Sequence, residues 1–198
     1  MRLIGIAGGT STGKSTLLRS LSEKLGDKVS TLSFDDYFIG SDLYNLDDIT
    51  NFEDPKLYNY KQFIHDLKAL KNGNAIKIRA NSRESSKAGI KERTIANKPI
   101  VVIEGWLIYY WPQARSLFDK KIFIHLSDEE ICERRFARTK GTRHWDSYDY
   151  IKNKIIPGHH KYVEPQKEYA DLVLDGSLTP KTLTNDVVKI VQSLLPEP

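Results

Sequence analysis

The segment of residues 8–15 has the residue types and the spacing that bind a nucleoside triphosphate. It reads G-x-x-x-x-G-K-S, a pattern in which backbone N–H groups surround the phosphates, the lysine reaches the β- and γ-phosphates and the hydroxyl binds Mg²⁺. Gly8 and Gly13 allow the tight path that a Cβ atom would obstruct. We call this segment the P-loop and predict triphosphate binding by Gly8, Gly9, Thr10, Ser11, Thr12, Gly13, Lys14, Ser15 and Thr16.

Three acidic residues are candidates for phosphoryl-transfer chemistry because they follow predicted buried strands. Asp35 and Asp36 come after one apolar run, and Glu104 comes after another. A carboxylate after the first of these runs can accept the proton of an attacking hydroxyl, and a carboxylate after the second run can hold Mg²⁺. We predict Asp35 as the catalytic base and Glu104, with Ser15, as metal ligands. The alternatives are that one aspartate only caps the next turn and that Glu104 pairs with a nearby lysine.

Arginine is concentrated on a helix that starts beyond the last of these acids. Ser127 and Glu130 form a capping box that opens the helix, which then carries Arg134, Arg135, Arg138 and Arg143. Each guanidinium can bind phosphate oxygens with two hydrogen bonds and stabilise charge during transfer. The pattern predicts a lid over about residues 134–150 that closes on phosphates. The alternative is a solvated helix face with Glu–Arg pairs.

A polar segment between the aspartates and the next helix contains Asn-Phe-Glu-Asp-Pro at residues 51–55. An aromatic residue beside acids, here Phe52 and Glu53, can grip the hydroxyls of a ribose. On spacing alone, an acidic loop of this kind is more often a solvated turn.

The elements that position these residues alternate between strands and helices, which predicts an α/β fold with a parallel central sheet. Apolar runs predict strands at residues 3–7, 29–34, 99–103, 121–126 and 170–174. Apolar residues at helical spacing predict helices after the P-loop and at residues 60–71, 148–162 and 182–195. Two short strands around a polar loop predict a small β-hairpin insertion at about residues 74–97.

The predicted helix of residues 148–162 contains Pro157-Gly158, which predicts a break. His159 and His160 follow directly. Adjacent side chains on a helix diverge by about 100°, so this pair is not predicted to bind a metal.

The bulk composition is that of an ordinary globular protein. The 198 residues are 39% hydrophobic and 28% charged, with a net charge of +4. That charge suits an anionic ligand, and the absence of a long basic run argues against a nucleic-acid partner. No apolar stretch reaches the length that spans a bilayer, and the N-terminus lacks the plan of a signal peptide. With Cys132 as the single cysteine, we expect no disulfide, no membrane partner and a cytoplasmic location; the sequence gives no signal for an oligomeric state.

This order of motifs resembles the uridine kinase family and the related nicotinamide riboside kinases. The likeness covers nearly the whole chain and is most specific at residues 8–15, 32–35, 51–55, 104–105, 134–138 and 164–171. It implies an α/β P-loop NTPase three-layer sandwich, with the hairpin insertion and an arginine-rich helical lid, forming a single kinase domain over residues 1–198. It also implies ATP as phosphoryl donor and a magnesium requirement.

Carried onto this sequence, the resemblance implies a role for each candidate residue. Asp35 is the base or orienting group for a nucleoside 5′-hydroxyl, and Lys14 and the P-loop amides hold ATP. Ser15 and Glu104 serve the metal. The arginines close on the phosphates, with Arg135 and Arg138 as catalytic residues, Arg138 also near the acceptor, and Arg134 and Arg143 as nucleotide contacts. Phe52, Glu53 and Asn81 belong to the acceptor site.

Two departures from the family pattern concern the acceptor. Family members carry an aspartate where this chain has Glu53, which gives the carboxylate a longer reach. Uridine kinases also read the pyrimidine with a tyrosine and a histidine of the hairpin, where this chain has Asn81 and Ser86. Nicotinamide riboside kinases share the Asp-Asp pair at residues 35–36 but have a shorter hairpin region.

The sequence therefore predicts an ATP-dependent kinase for a small nucleoside-like acceptor, with uridine or cytidine first and nicotinamide riboside second. A pantothenate- or ribulose-phosphate-type acceptor is third. A nucleotide-binding regulatory module is the alternative that is not an enzyme. A GTPase switch is disfavoured because Asn97-Lys98-Pro99 lacks the aspartate of the N-K-x-D motif, and intact Lys14, Asp35 and Glu104 argue against a degenerate kinase.

Overall fold

Strands and helices alternate along the chain as the sequence predicts. The computed structural model describes residues 1–45, 51–81, 89–139 and 147–196. The strands are β1 (Arg2–Gly8), β2 (Val29–Ser33), β3 (Ile76–Arg79), β4 (Glu92–Ile95), β5 (Ile100–Gly105), β6 (Lys120–His125) and β7 (Leu172–Asp175). The helices are α1 (Lys14–Leu25), α2 (Gly40–Leu43), α3 (Tyr60–Lys71), α4 (Pro112–Arg115), α5 (Asp128–Thr139) and α6 (Pro180–Ser193).

A five-stranded parallel sheet in the order β2-β5-β1-β6-β7 forms the centre. The central strands β1 and β5 are buried on both faces, which is why they read as nearly continuous apolar runs rather than as alternating patterns. The carboxyl ends of parallel strands meet at one edge of a sheet. The P-loop after β1, the aspartates after β2 and Glu104 at the end of β5 therefore lie at the same edge.

Two apolar cores lie on opposite faces of this sheet. One contains Leu17 and Leu21 of α1 and Val187 of α6, packed on Ile4 and Ile122 of the strands. The other contains the apolar side of α3, with Phe63, Leu67 and Leu70. These pack with strand residues whose side chains point to the opposite face of the sheet, among them Leu3, Leu32 and Val101. Helices cover both faces, so the predicted α/β three-layer arrangement is confirmed.

The segment after α5 is a continuous helical run of changing pitch over residues 148–169, which we call the mixed helix. It passes from α (Tyr148–Tyr150) to π (Ile151–Ile155), α (Ile156–Gly158), π (His159–Val163) and 3₁₀ (Glu164–Tyr169). The predicted break at Pro157-Gly158 is wrong, since Gly158 keeps helical angles of φ −65° and ψ −42°. A proline clashes with the carbonyl four residues earlier in a regular α-helix. The wider π turns on both sides relieve this clash.

Smaller differences from the sequence predictions concern the ends of elements. Strand β2 ends at Ser33, and Phe34–Tyr37 form a 3₁₀ turn in which the backbone N–H of Asp35 donates to Ser33 Oγ. Strands β3 and β4 pair antiparallel, as the predicted hairpin requires. Ser86 lies outside the described residues. In the part of the chain that is described, no helix is long and apolar enough to cross a membrane.

Candidate active site

The P-loop joins β1 to α1, and Gly13 precedes the first residue of the helix with a left-handed φ of 88°, which favours glycine. Lys14 is buried, and its Nζ donates to the carbonyl oxygen of Gly9 at 2.6 Å and to Thr12 Oγ1 at 3.2 Å. Burial lowers the pKa of Lys14, against the raising effect of the Glu104, Asp35 and Glu53 carboxylates. The lysine is thus folded back on its own loop and surrounded by the acidic candidates.

Ser15 and Glu104, the two predicted metal ligands, are brought together. Ser15 Oγ lies 3.4 Å from Glu104 Oε1, and the same oxygen accepts a 2.6 Å hydrogen bond from Ser33 Oγ. Ser33 and Glu104 are register partners of β2 and β5. A carboxylate with adjacent hydroxyls is the oxygen donor set that Mg²⁺ prefers, so the residues present fit this ion.

Asp35 and Asp36 point to different surroundings. Burial, and next the Glu104 carboxylate, raise the pKa of Asp35 to about 7, while Lys14 and Arg138 lower it. Asp36 is buried with its Oδ2 at 3.6 Å from Arg93 Nη1. Asp35 therefore belongs to the site, and Asp36 connects the turn to the hairpin.

Glu53 is the most unusual carboxylate of the site. It is 2% exposed, and neither carboxylate oxygen has a hydrogen-bond partner among the described residues. Burial raises the pKa of Glu53 to about 8, while the charges of Arg135 and Lys14 lower it. Its loop is fixed by the Glu53 N–H, which donates to Asn51 Oδ1, and by the Tyr58 hydroxyl, which donates to the Phe52 carbonyl. The solvated turn that spacing alone favours is thus wrong, because Glu53 faces the interior.

The arginines of α5 separate into two sets. Arg135 Nη1 lies 3.2 Å from Thr10 Oγ1 of the P-loop, and Arg138 acts electrostatically on Lys14 and Asp35. Arg134 donates instead to the carbonyl oxygen of Gly176 at 2.8 Å, beyond β7, with Glu130 at 3.6 Å. The other predicted lid arginine, Arg143, lies outside the described residues.

Aromatic residues and the end of the hairpin strand β3 pack around the segments that carry Asp35 and Glu53. Phe52 packs on Phe38 with ring centroids 6.2 Å apart, and Asn81 Nδ2 donates to the Phe38 carbonyl at 3.0 Å. Asn81 thus holds the end of β3 against the segment that follows Asp35. The Tyr58 ring lies edge-on to Trp106 at 5.7 Å.

Comparison with known proteins identifies the family of this chain. The family model described as Phosphoribulokinase / Uridine kinase family matches residues 3–183. The chain belongs to this family. It is 28% identical to the uridine kinase of Chlamydia pneumoniae over 192 residues, which cover 93% of this chain and 86% of the relative. It is 30% identical to the uridine kinase of Borrelia duttonii (strain Ly), with 92% and 91% covered.

A solved structure supports the fold of this kinase. The phosphoribulokinase from Rhodobacter spheroides superposes with a TM-score of 0.67 at 12% identity, covering 88% of this chain and 69% of that one. At this identity the likeness concerns the fold alone. Together with the family match, it makes the protein a P-loop kinase, that is, a phosphotransferase that uses a nucleotide.

Two residues of the kinase site were missed in the sequence. Ser33 is the last residue of β2, directly before the turn that carries Asp35, and it is the register partner of Glu104 on β5. The alternation of side chains along β2 could have indicated that Ser33 faces the site. Tyr58 contributes its buried hydroxyl five positions after Glu53. Only the fold of the intervening turn, Pro55–Leu57, brings it there, so no sequence spacing indicates it.

Proposed function

We propose that this kinase transfers the γ-phosphoryl group of ATP to the 5′-hydroxyl of a nucleoside, with uridine or cytidine as the first choice and nicotinamide riboside as the second. The observation that carries the proposal is the arrangement of two carboxylates, the half-buried Asp35 and the buried Glu53, around Lys14 of the P-loop. A hydrolase or switch that bound a nucleotide alone would have no use for a second buried carboxylate without a partner.

On the donor side, the backbone N–H groups of the P-loop and the start of α1 bind the phosphates. Lys14 exchanges the Gly9 carbonyl, to which its Nζ donates here, for phosphate oxygens. Arg135 and Arg138 contribute guanidinium groups that stabilise the charge of the transferring group. The guanidinium interactions strengthen as negative charge develops on the phosphoryl group in the transition state. Interactions that are stronger in the transition state than in the ground state accelerate the transfer.

Ser15 and Glu104 would hold Mg²⁺, with Ser33 fixing the orientation of the Glu104 carboxylate through its 2.6 Å hydrogen bond. When bound, this ion neutralises phosphate charge during the transfer. The residues of the chain contribute the placement of the ligand oxygens, which the β2–β5 register sets before any ligand arrives.

On the acceptor side, Asp35 takes the proton of the attacking hydroxyl. A general base works best when its pKa lies near the working pH, and the pKa of Asp35 is raised to about 7 by burial and by Glu104. The two oxygens of Glu53 without partners accept hydrogen bonds from adjacent hydroxyls, as the 2′- and 3′-hydroxyls of a ribose provide. Ligand hydroxyls would thereby satisfy a carboxylate that the protein leaves unsatisfied.

The test is turnover with a panel of acceptors. Purified protein with Mg-ATP is expected to convert uridine or cytidine to its 5′-monophosphate, measured by ADP release and by separation of the product. Nicotinamide riboside, pantothenate and ribulose 5-phosphate complete the panel, and 2′-deoxyuridine and 3′-deoxyuridine report on the Glu53 contact. Binding of a triphosphate without turnover of any acceptor would contradict the kinase proposal and support a regulatory module.

A further inference from the structure

His159 has a buried imidazole that lies against the P-loop. The sequence predicts no metal binding by His159 and His160 and assigns His159 no other role. It is 3% exposed and opens the second π turn of the mixed helix. A methyl group placed on Gly9 would lie 2.7 Å from His159 Cε1 and 2.8 Å from Nδ1. The edge of the ring that carries Nδ1 therefore contacts the backbone of the P-loop. Single π turns within helices occur frequently at functional sites.

The two ring nitrogens have different surroundings. Nε2 lies 3.3 Å from Glu164 Oε2, whereas Nδ1 is buried and has no hydrogen-bond partner among the described residues. The carboxylate favours the tautomer with its proton on Nε2, which leaves the lone pair of Nδ1 facing the loop. A buried polar atom without a partner is costly and calls for a functional explanation.

Gly9 is the point at which three parts of the site meet. Its carbonyl oxygen accepts from Lys14 Nζ and Thr12 Oγ1. Ile131 of α5 lies 3.5 Å from the same methyl position that meets His159. One turn further along α5, Arg135 contacts the P-loop. A change in the charge of the His159 ring would therefore act both on the Gly9 carbonyl that accepts from Lys14 and on the part of α5 around Ile131.

We propose that His159, held by Glu164, is a positioning residue of the P-loop that takes up a proton from solvent at Nδ1 when a nucleoside triphosphate binds. The imidazolium then offsets part of the phosphate charge from behind the loop. The inference depends on the proposed function only in that Mg-ATP binds at this loop.

The charges around the ring determine the direction of this effect. Burial lowers the pKa of His159, Glu164 raises it, His160 lowers it and Asp128 of α5 raises it. Glu164 is shared with His125 of β6 at 3.4 Å and with Lys167 at 3.3 Å. The Nζ of Lys14 donates to the Gly9 carbonyl, and while it does so its positive charge disfavours protonation of the nearby His159 ring. Arriving phosphate charge, and the departure of Lys14 toward it, both favour the imidazolium.

The direct experiment is a pH titration of ¹⁵N-histidine NMR signals, with and without Mg²⁺ and a non-hydrolysable ATP analogue. The chain has five histidines, and His159→Gln assigns the signal. The titration midpoint of His159 is expected to rise by about one pH unit or more on binding, the size of effect that a nearby opposite charge produces. An unchanged midpoint with the analogue bound would overturn this inference and leave the proposed function intact. If the analogue does not bind, the proposed function fails first.

Variants separate positioning from packing. The analogue is expected to bind the wild type more tightly as the pH falls, by up to about tenfold for each unit of midpoint shift, and His159→Phe should lose this part of the pH profile. Phenylalanine fills the same space, so a wild-type pH profile in His159→Phe would show that the ring only packs. His65→Gln is the matched control, because His65 is an exposed histidine of α3 with its Nδ1 at 3.2 Å from Asp66 Oδ1, and it is not among the groups that act on His159. It should keep the wild-type profile.

Discussion

The donor side and the acceptor side of the site differ in how their polar groups are satisfied. On the donor side, the P-loop with Ser33 and Glu104, most polar side chains are bonded within the chain: Lys14 and Thr12 to Gly9, and Ser33 to Glu104, with Ser11 Oγ as an exception. On the acceptor side, the half-buried Asp35 and the buried Glu53 are carboxylates with raised pKa values, of about 7 and about 8. The chain offers the Glu53 oxygens no hydrogen-bond partner among the described residues.

The difference shows which half of the site the fold completes by itself. Donor groups have protein partners that they can exchange for phosphate and metal ligands, so their geometry is set before binding. Buried carboxylates without partners destabilise the folded state, and ligand hydroxyls would remove that cost. Substitutions on the acceptor side should therefore change acceptor affinity and pH-dependent stability, whereas substitutions on the donor side should change the use of nucleotide and metal.

The largest expected effect is that of Asp35→Asn. The amide keeps the shape of the side chain but cannot accept the hydroxyl proton, so kcat should fall by about 10²–10⁴-fold. Binding of the ATP analogue, measured by thermal shift, should remain. Retained turnover would contradict the assignment of Asp35 as the base. Loss of analogue binding would place it on the donor side instead.

Arg135 and Arg134 provide a comparison between neighbours on one helix. Arg135 contacts Thr10 and interacts with the buried Glu53, so it connects the two sides. Arg135→Ala should lower kcat by about 10²-fold or more, the usual effect of removing a donor to developing charge. Arg134→Ala removes a hydrogen bond to the Gly176 carbonyl and should lower stability by about 1 kcal/mol with a small effect on kcat. Equal losses of kcat would contradict this separation.

Glu53→Gln tests the acceptor contact. The neutral amide accepts hydroxyl hydrogen bonds more weakly, so kcat/KM for the acceptor should fall by about 10-fold or more. The KM for ATP should stay unchanged in steady-state kinetics. Tyr58→Phe is the matched control, since it frees the Phe52 carbonyl but leaves the carboxylate, and its effect should be smaller. A change confined to the KM for ATP would assign Glu53 to the donor side.

The donor side could be predicted from the sequence because its determinants are local. The P-loop residues are consecutive, and Ser15, Asp35 and Glu104 each stand at a fixed place relative to an apolar run. Parallel strands then bring the three to one edge. The same reasoning predicted the parallel sheet and the bounds of α3, Tyr60–Lys71. The mixed helix and α6 differ from their predicted bounds of residues 148–162 and 182–195.

The acceptor side depends on contacts that no spacing records. Tyr58 reaches the Glu53 loop through a 3₁₀ turn, and Asn81 reaches Phe38 from the hairpin. The location of His159 beside Gly9 depends on π turns that carry the mixed helix past Pro157, where local preference predicts a break. The burial of Glu53 likewise follows from tertiary packing and not from its acidic neighbours.

The pH dependence of stability gives a test that needs no substrate. The folded pKa of Glu53, raised by burial to about 8, exceeds the unfolded value of about 4.3. Between these values the folded state binds more protons than the unfolded state, so its stability falls as the pH rises toward about 8. Asp35 adds a similar fall up to about 7. Glu53→Gln should flatten the dependence in urea unfolding without ligand; a variant that keeps the wild-type slope would contradict the buried, unpartnered state of Glu53.

The smallest expected effect concerns Ser33, where the two sides meet. Its Oγ donates to Glu104 on the donor side and accepts from the N–H of Asp35 on the acceptor side. Loss of one hydrogen bond to a charged group corresponds to about 1.5 kcal/mol at the lower end, so Ser33→Ala should raise the Mg²⁺ concentration for half-maximal rate by about tenfold. Ser30→Ala on the same strand removes a hydrogen bond to the Ala96 carbonyl and should lower stability alone. If both variants shift the Mg²⁺ dependence equally, Ser33 acts by supporting β2, and the orientation of Glu104 does not depend on its hydroxyl.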